Sequence, residues 1–144
     1  MTDRRPPARR SDFKVFRDLP TRVMDNDIYG HMNNVVYYAL VDTVVNSFLI
    51  DEGVLDMHKG EQIGVVVETG CRYHSELAYP HVVQGGLKVA RIGSTSVRYE
   101  IGLFREGEDI AAADAFFVHV YVDRTNRRPE PIRPELRAVL ERIA

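Results

Sequence analysis

One long apolar segment, Asn34–Glu52, most constrains the fold of this 144-residue chain. Apolar residues cover most of its circumference when it is drawn as a helix, which predicts a buried helix rather than a surface one. Its many β-branched residues favour a strand, but so long a strand would be unusual, and length therefore favours the helix. Asn33 or Asn34 can cap its start, and Gly53 is placed to end it.

Most of the chain after this segment has the pattern of strands. We expect strands at Ile63–Tyr73, His81–Ile92, Ser96–Arg105 and Ile110–Asp123, after a first strand within Phe13–Met24 that Pro20 confines to an edge. Alternation places two apolar sets each on one face: Val97, Tyr99, Ile101 and Leu103, and then Phe116, Val118, Val120 and Val122. A hairpin turn at Arg105–Glu108 and a terminal helix at Pro134–Ile143 complete the pattern.

This order of elements predicts the fold class. Consecutive strands with short turns imply an antiparallel sheet, and a helix buried by that sheet makes an α+β fold. A single sheet around one helix leaves edges and one face uncovered, which predicts a homodimer or a homotetramer. The length is that of one domain, which we place at residues 13–144. Residues 1–12 contain four arginines and two prolines, and we expect a disordered basic tail there.

Composition excludes several functional classes. The net charge of −2 disfavours a nucleic-acid partner, because such proteins usually carry a basic surface. Cys71 is the single cysteine, so no intrachain disulfide forms and a reducing cytoplasm is the natural location. Asp42 and Asn46 interrupt the longest apolar segment, so we expect no membrane span.

The polar loop Asp25–Asn34, with the sequence Asp-Asn-Asp-Ile-Tyr-Gly-His-Met-Asn-Asn, directly precedes the predicted helix. A helix N-terminus presents free backbone N–H groups and the positive end of the helix dipole. A nearby carboxylate can act as a base or nucleophile while the N–H groups stabilise an oxyanion. The loop also resembles the start of an EF-hand, but Tyr29 and Val36 stand where ligands are needed, and we predict no metal site.

The arrangement of loop, helix and strands resembles the hotdog-fold acyl-CoA thioesterases, and most closely the 4-hydroxybenzoyl-CoA thioesterase-like group. The resemblance rests on the Asp-x-Asp-x-x-Gly-His-x-Asn-Asn loop, on Leu87–Ser96 and on Val120–Ile132, and it covers Phe16–Leu140. It implies an antiparallel sheet wrapped around one long buried helix, an acyl-CoA substrate and no bound cofactor. The His-x-Asn-Asn sequence departs from the 4-hydroxybenzoyl-specific enzymes and is more similar to the general acyl-CoA branch.

The resemblance also implies roles for individual residues. Asp27 stands at the position of the catalytic carboxylate, and the Asn34 backbone N–H at that of the oxyanion donor. From the residues alone, capping the turn or the helix is the favoured role of Asp27, and only the resemblance favours catalysis. His31 either positions the loop or acts as a general acid, and Asn33 caps the helix beside the substrate. The acyl chain is expected to pass along the helix by Tyr37 or Tyr38.

Arginines and a glycine-containing turn are candidates for the coenzyme A phosphates. Arg91 is the strongest of them, because it lies beside the turn formed by Gly93, Ser94 and Thr95, whose N–H groups can also bind phosphate or pantetheine. Two other functions remain open at this point. One is a hotdog-fold hydratase or dehydratase acting on acyl-CoA or acyl-carrier protein, and the other is a non-catalytic acyl-CoA-binding module.

Overall fold

The computed structural model describes residues 5–144. Five strands and two α-helices follow one another as β1 (Val15–Leu19), α1 (Asn34–Asp51), β2 (Gln62–Tyr73), β3 (Val83–Ile92), β4 (Ser96–Arg105), β5 (Ala113–Asp123) and α2 (Pro134–Arg142). All strand pairs are antiparallel, in the order β1-β3-β4-β5-β2, and α1 packs on one face of this sheet. The predicted α+β architecture is therefore confirmed.

Both ends of α1 carry the caps expected from the sequence. The Asn33 side chain accepts a hydrogen bond of 3.1 Å from the Val35 N–H, as an N-cap residue should. Gly53 has a φ of 74°, a conformation that favours glycine, and the next N–H, of Val54, donates to Leu49 O. Local capping thus defines the helix although its β-branched residues are poor helix formers.

One side of α1 fills the concave face of the sheet. Its buried residues are Tyr37, Val41, Val44, Val45, Phe48 and Leu49. The helix approaches β3 closely at Gly85, where a Cβ atom would lie 2.4 Å from Val44 Cγ2 and 3.1 Å from Leu19 Cδ1. The absence of a side chain at Gly85 therefore sets the distance between helix and sheet.

One side of α1 is buried as the sequence predicts, but the other side is open in the single chain. Val35 is 71% exposed and Ile50 42% exposed, and Ala39 also faces outward. One sheet can cover only one side of a helix, and apolar residues on the second side remain uncovered. Such a surface is typical of contact with a second chain.

The two faces of the sheet divide the apolar residues of β4 and β5. Val97, Tyr99, Ile101 and Leu103 all point toward α1 and are fully buried, as expected. Phe116, Val118 and Val120 share a face as predicted, but it is the outer face. The side of β5 that faces α1 carries Phe117, His119 and Tyr121 instead. A sheet with apolar residues on both faces gives no sequence signal for which face meets the helix.

The N-terminal segment differs in extent from its sequence-based limits. The predicted first strand shortens to β1, which ends before Pro20. Of the predicted basic tail, residues 1–4 lie outside the described residues. Ala8 donates its N–H to the Asp114 carboxylate at 3.1 Å, and Arg10 donates to Asp109 O at 2.8 Å. These contacts join residues 8–12 to the end of the sheet.

Within residues 5–144, no helix combines the length and the apolar character needed to cross a bilayer.

The substitution Gly85→Ala tests the close approach of α1. We expect it to lower the free energy of unfolding by about 1–3 kcal/mol, because the new methyl group overlaps Val44. Chemical denaturation measures this loss. The double variant with Val44→Ala should lose less than the sum of the two single variants. Strict additivity would contradict the contact.

Candidate active site

The loop before α1 is held by the buried carboxylate of Asp25. Its oxygens accept hydrogen bonds from the Arg22 backbone N–H at 2.8 Å and from the Arg22 guanidinium at 2.9 and 3.2 Å. Burial alone would raise the pKa of Asp25, but these hydrogen bonds and the Arg22 charge outweigh it and hold the pKa below 3.8. The Asn33 N–H donates to Asp25 O at 2.8 Å, which ties this anchor to the N-cap of the helix. Asp25 therefore has a structural role in this loop.

Asp27 shapes the turn and keeps one carboxylate oxygen free. Its Oδ1 accepts from the N–H groups of Tyr29 at 2.8 Å and His31 at 3.3 Å, while Gly30 closes the turn with a φ of 83°. The carboxylate therefore caps the turn, as its residue type alone would suggest. Among residues 5–144, no group donates a hydrogen bond to Oδ2. One oxygen fixes the orientation of the side chain, and the other is available to a ligand.

The first turn of α1 provides an unused donor close by. The N–H groups of Val35 and Val36 bond to the Asn33 side chain and backbone carbonyl, respectively. The Asn34 N–H has no acceptor within the described chain, as expected for the first residue of a helix. The Asn34 side chain is held outward from the helix by a hydrogen bond from the Tyr73 hydroxyl.

These groups line one open cleft with a volume of about 480 Å³. Its walls are Asp27, His31, Met32, Asn34, Tyr37, Tyr73, His74, Ser75 and Glu76. Four of the predicted site residues thus meet here: Asp27, His31, Asn34 and Tyr37. Asn33 stays behind them as the cap. Tyr37 is buried edge-on against Tyr73, and its hydroxyl accepts the Leu77 N–H at 3.4 Å, so it forms part of the floor.

Two histidines in the cleft have carboxylate partners. His31 Nε2 lies 3.1 Å from Glu76 Oε2. The His31 side chain is therefore directed toward the segment that follows β2 and not toward the Asp27 carboxylate. His74 Nε2 lies 2.8 Å from the buried Asp114, which also accepts from Arg72 at 2.8 and 2.9 Å. Sequence reasoning missed this arrangement of His74, Asp114 and Arg72. No local spacing could reveal it, because β2 and β5 are joined only in the folded sheet.

The predicted phosphate-binding residues lie at the other end of the sheet. Arg91 is exposed near the end of β3, and the turn Gly93–Thr95 follows it. Gly93 O accepts from Arg137 at 2.8 Å, and Thr95 O accepts from the Tyr121 N–H at 2.8 Å. The length of β3 separates this turn from the cleft of the same chain by about 30 Å.

Cys71 and Glu68 are not suited to a catalytic role in this cleft. Burial raises the pKa of the Cys71 thiol to about 11, which makes it a poor nucleophile. Glu68 is exposed on the outer strand β2, away from the cleft. In the part of the chain that the structure describes, no three His, Cys, Asp or Glu side chains cluster as metal ligands would.

Residues 21–140 match the thioesterase-like superfamily, and the chain belongs to this family. The match begins just before the Asp25–Asn34 loop and ends within α2, so it includes the whole cleft. No protein among the curated sequences matches this chain. Membership supports a thioesterase activity.

Solved structures share the complete fold. The PA5185 protein of Pseudomonas aeruginosa strain PAO1 is 48% identical over 96% of each chain, with a TM-score of 0.93. The dynemicin thioesterase is 17% identical over 90% of this chain and 96% of its own, with a TM-score of 0.82. Slr0204, a 1,4-dihydroxy-2-naphthoyl-CoA thioesterase from Synechocystis, is 12% identical over 87% of this chain and 93% of its own, with a TM-score of 0.78. The predicted hotdog fold is confirmed.

The substitution Asp25→Asn tests the anchor of the loop. At pH 7 we expect a loss of about 1–3 kcal/mol in unfolding free energy, because buried charge-assisted hydrogen bonds to Arg22 are weakened. Since folding lowers the pKa of Asp25, its contribution is complete well above pH 3.8 and disappears as the pH falls through the lower folded value. Denaturation at several pH values should show the difference from wild type shrinking in acid.

Asp12→Asn is the matched control for this experiment. Asp12 accepts the Arg9 N–H at 2.8 Å in the same local arrangement, but it is exposed. We expect a change of about 0.5 kcal/mol or less. Equal losses in both variants would show that burial of Asp25 does not matter.

Proposed function

We propose that the protein is an acyl-CoA thioesterase that hydrolyses an acyl-CoA thioester to a carboxylic acid and coenzyme A, without a bound cofactor. One observation carries this proposal: the free Oδ2 of Asp27 and the unpaired N–H of Asn34 line the same cleft. A carboxylate and an oxyanion donor are the two groups that acyl transfer requires.

The geometry supports a simple course for the reaction. The thioester carbonyl oxygen accepts the Asn34 N–H, and the dipole of α1 stabilises the negative charge that develops on it. Asp27 then either attacks the carbonyl carbon and forms a mixed anhydride, or removes a proton from an attacking water. In both routes the C–S bond breaks and coenzyme A leaves as the thiolate. Water supplies the second oxygen of the acid.

A second copy of the chain is part of this proposal. β2 is an edge strand whose outer side has no partner within residues 5–144, and Val65, Val66 and Val67 on it are exposed. The three exposed valines form an apolar stretch without proline, next to the exposed Glu68, and such a stretch can pair with an identical strand. Antiparallel pairing about Val67, the centre of the exposed part of β2, gives a two-fold dimer. The open side of α1 then faces the second copy. A tetramer would additionally use the apolar outer face of the sheet.

The dimer also gives a place to the remaining predicted residues. In the antiparallel pair, the sheets of the two copies run in opposite directions. The cleft of one copy then lies at the same end of the dimer as Arg91 and Gly93–Thr95 of the other copy. We propose that these residues of the second copy contact the coenzyme A portion of the substrate. His31, tied to Glu76, holds the loop at the mouth of the cleft.

The substitution Asp27→Asn tests the catalytic assignment. Asparagine keeps an oxygen for the Tyr29 and His31 N–H groups but cannot act as base or nucleophile. We expect kcat for thiol release from acyl-CoA esters to fall by about 100-fold or more. Asp12→Asn, at an exposed position of the N-terminal segment that does not line the cleft, is the control and should keep wild-type turnover. Full turnover in Asp27→Asn would refute the assignment, and double-bond formation without thiol release would indicate a hydratase or dehydratase.

The double substitution Val65→Lys/Val67→Lys tests the dimer. Like charges on the edge strand should repel across the two-fold axis, yielding monomers with little thioesterase activity. Light scattering coupled to size-exclusion chromatography measures the mass. Ile110→Lys adds a charge at an exposed position away from this edge and should leave the dimer intact. A fully active monomeric wild type would contradict the dimer.

A further inference from the structure

A second cavity lies at the opposite end of α1 from the cleft. Its volume is about 440 Å³, within the range of small-molecule sites. Leu49, Leu55, Ile63 and Leu136 give it apolar walls, and two polar side chains of β5, His119 and Tyr121, also line it. The chemistry described so far makes no use of it.

His119 is the unusual feature of this cavity. It is only 3% exposed, and burial lowers its pKa to about 4, so the imidazole is neutral at pH 7. Its Nδ1 lies 3.4 Å from the Tyr121 hydroxyl, which in turn is 2.8 Å from the Tyr99 hydroxyl. Among residues 5–144, Nε2 has no hydrogen-bond partner. Nε2 is not fully buried, however, so a ligand or water can reach it from the cavity.

Gly64 lets the imidazole pack directly against β2. It lies opposite Tyr121 in the β2–β5 pair, and a Cβ atom there would be 2.8 Å from His119 Nδ1. Any larger residue at this position would press on the ring. The glycine therefore fixes the Nδ1 edge of the ring, while both residues remain part of the cavity wall.

The two arginines that line this cavity already have hydrogen-bond or ion-pair partners within the chain. The Arg124 guanidinium donates to the backbone carbonyls of Met57, Asp56 and Gly60. Arg133 pairs with Glu61 at 3.3 Å and Glu130 at 3.7 Å. Among the described residues that line the cavity, no further cation is present to balance an anionic ligand group. The lining therefore favours an apolar ligand with a neutral hydrogen-bonding group.

We propose that this cavity holds the distal part of the substrate's acyl group and that His119 Nε2 hydrogen-bonds a hydroxyl on it. The inference rests on the proposed function and names its substrate class: hydroxylated acyl thioesters. A hydroxyl fits because it can donate or accept, and so matches either neutral tautomer of His119. Tyr121 and Tyr99 complete the hydrogen-bonded chain behind the imidazole.

The acyl group reaches this cavity from the second copy. In its own chain the cavity begins near Asn46, about 18 Å along α1 from the Asn34 N–H. In the dimer paired about Val67, Tyr73 of one copy lies near Glu61 and Gln62 of the other. Both of these residues line the cavity, whereas Tyr73 lines the cleft. The cleft of one copy thus continues into the cavity of the second.

The first test measures thiol release by the full-length dimer with ω-hydroxyacyl-CoA esters of increasing length and their unsubstituted counterparts. At the length that reaches His119, we expect kcat/KM to favour the hydroxylated ester by about tenfold or more. His119→Phe keeps an aromatic ring against Tyr99 and Phe117 but has no nitrogen, and it should bring the ratio close to one.

The possible results separate this inference from the proposed function. Thiol release with a ratio near one at every length would overturn the inference and leave the thioesterase intact. No thiol release from any ester would remove both. The wild-type ratio decides without any variant, so poor folding of His119→Phe does not obscure the result.

Mixed dimers test the contribution of the second copy. Asp27→Asn dimers should be inactive, and His119→Phe dimers should be active without preference for the hydroxyl. In an equal co-refolded mixture, about one site in four combines an intact Asp27 with an intact His119 of the other copy. The hydroxyl preference should therefore reappear in the mixture. A ratio that stays near one would show that each cavity serves its own chain.

Discussion

The packing of α1 against β3 at Gly85 is the constraint on which the site depends. With no Cβ at Gly85, Val44 can lie directly on the sheet, and the axis of the helix is set by this contact. The N-terminus of α1 consequently lies at the end of the sheet where β2 finishes and β3 begins. Tyr73 and His74 leave β2 at this point and become the wall opposite Asp27. A shift of the helix would separate the Asn34 N–H from the carboxylate that accompanies it.

Two aspartates only two residues apart show how environment divides the roles of one residue type. Asp25 is buried and bonded to Arg22 through both oxygens, which stabilises the loop and leaves nothing for chemistry. Asp27 is half-buried and uses only Oδ1 to hold its turn. The first aspartate provides rigidity, and the second is oriented by it through the short loop. A carboxylate positioned in this way needs little reorganisation when a substrate binds.

Much of this could be predicted from the sequence because the relevant signals are local. The Asn33 cap, the stop at Gly53 and the alternation in β4 depend on neighbouring residues, and the structure confirms them. The loop from Asp25 to Asn34 is contiguous, so its residues could be named together. The pairing of His74 with Asp114 could not, because it joins two strands 40 residues apart. The face of β5 that meets α1 was also hidden, since both faces carry apolar residues.

Three features of the single chain, the edge of β2, the open side of α1 and the position of the His119 cavity, are all accounted for by the proposed dimer. Within residues 5–144, the outer edge of β2 has no strand partner and exposes three valines, the second side of α1 is open and exposes apolar residues, and the His119 cavity lies at the opposite end of α1 from the cleft. Antiparallel pairing of β2 covers the first two at once, since both lie on the same side of the molecule. In the proposed dimer, the same symmetry operation brings each cavity beside the other chain's cleft. Because a two-fold axis applies to both copies equally, the pair then contains two identical and complete sites. The helix that seemed buried on all sides from its sequence is, in this arrangement, covered by one sheet and one neighbour.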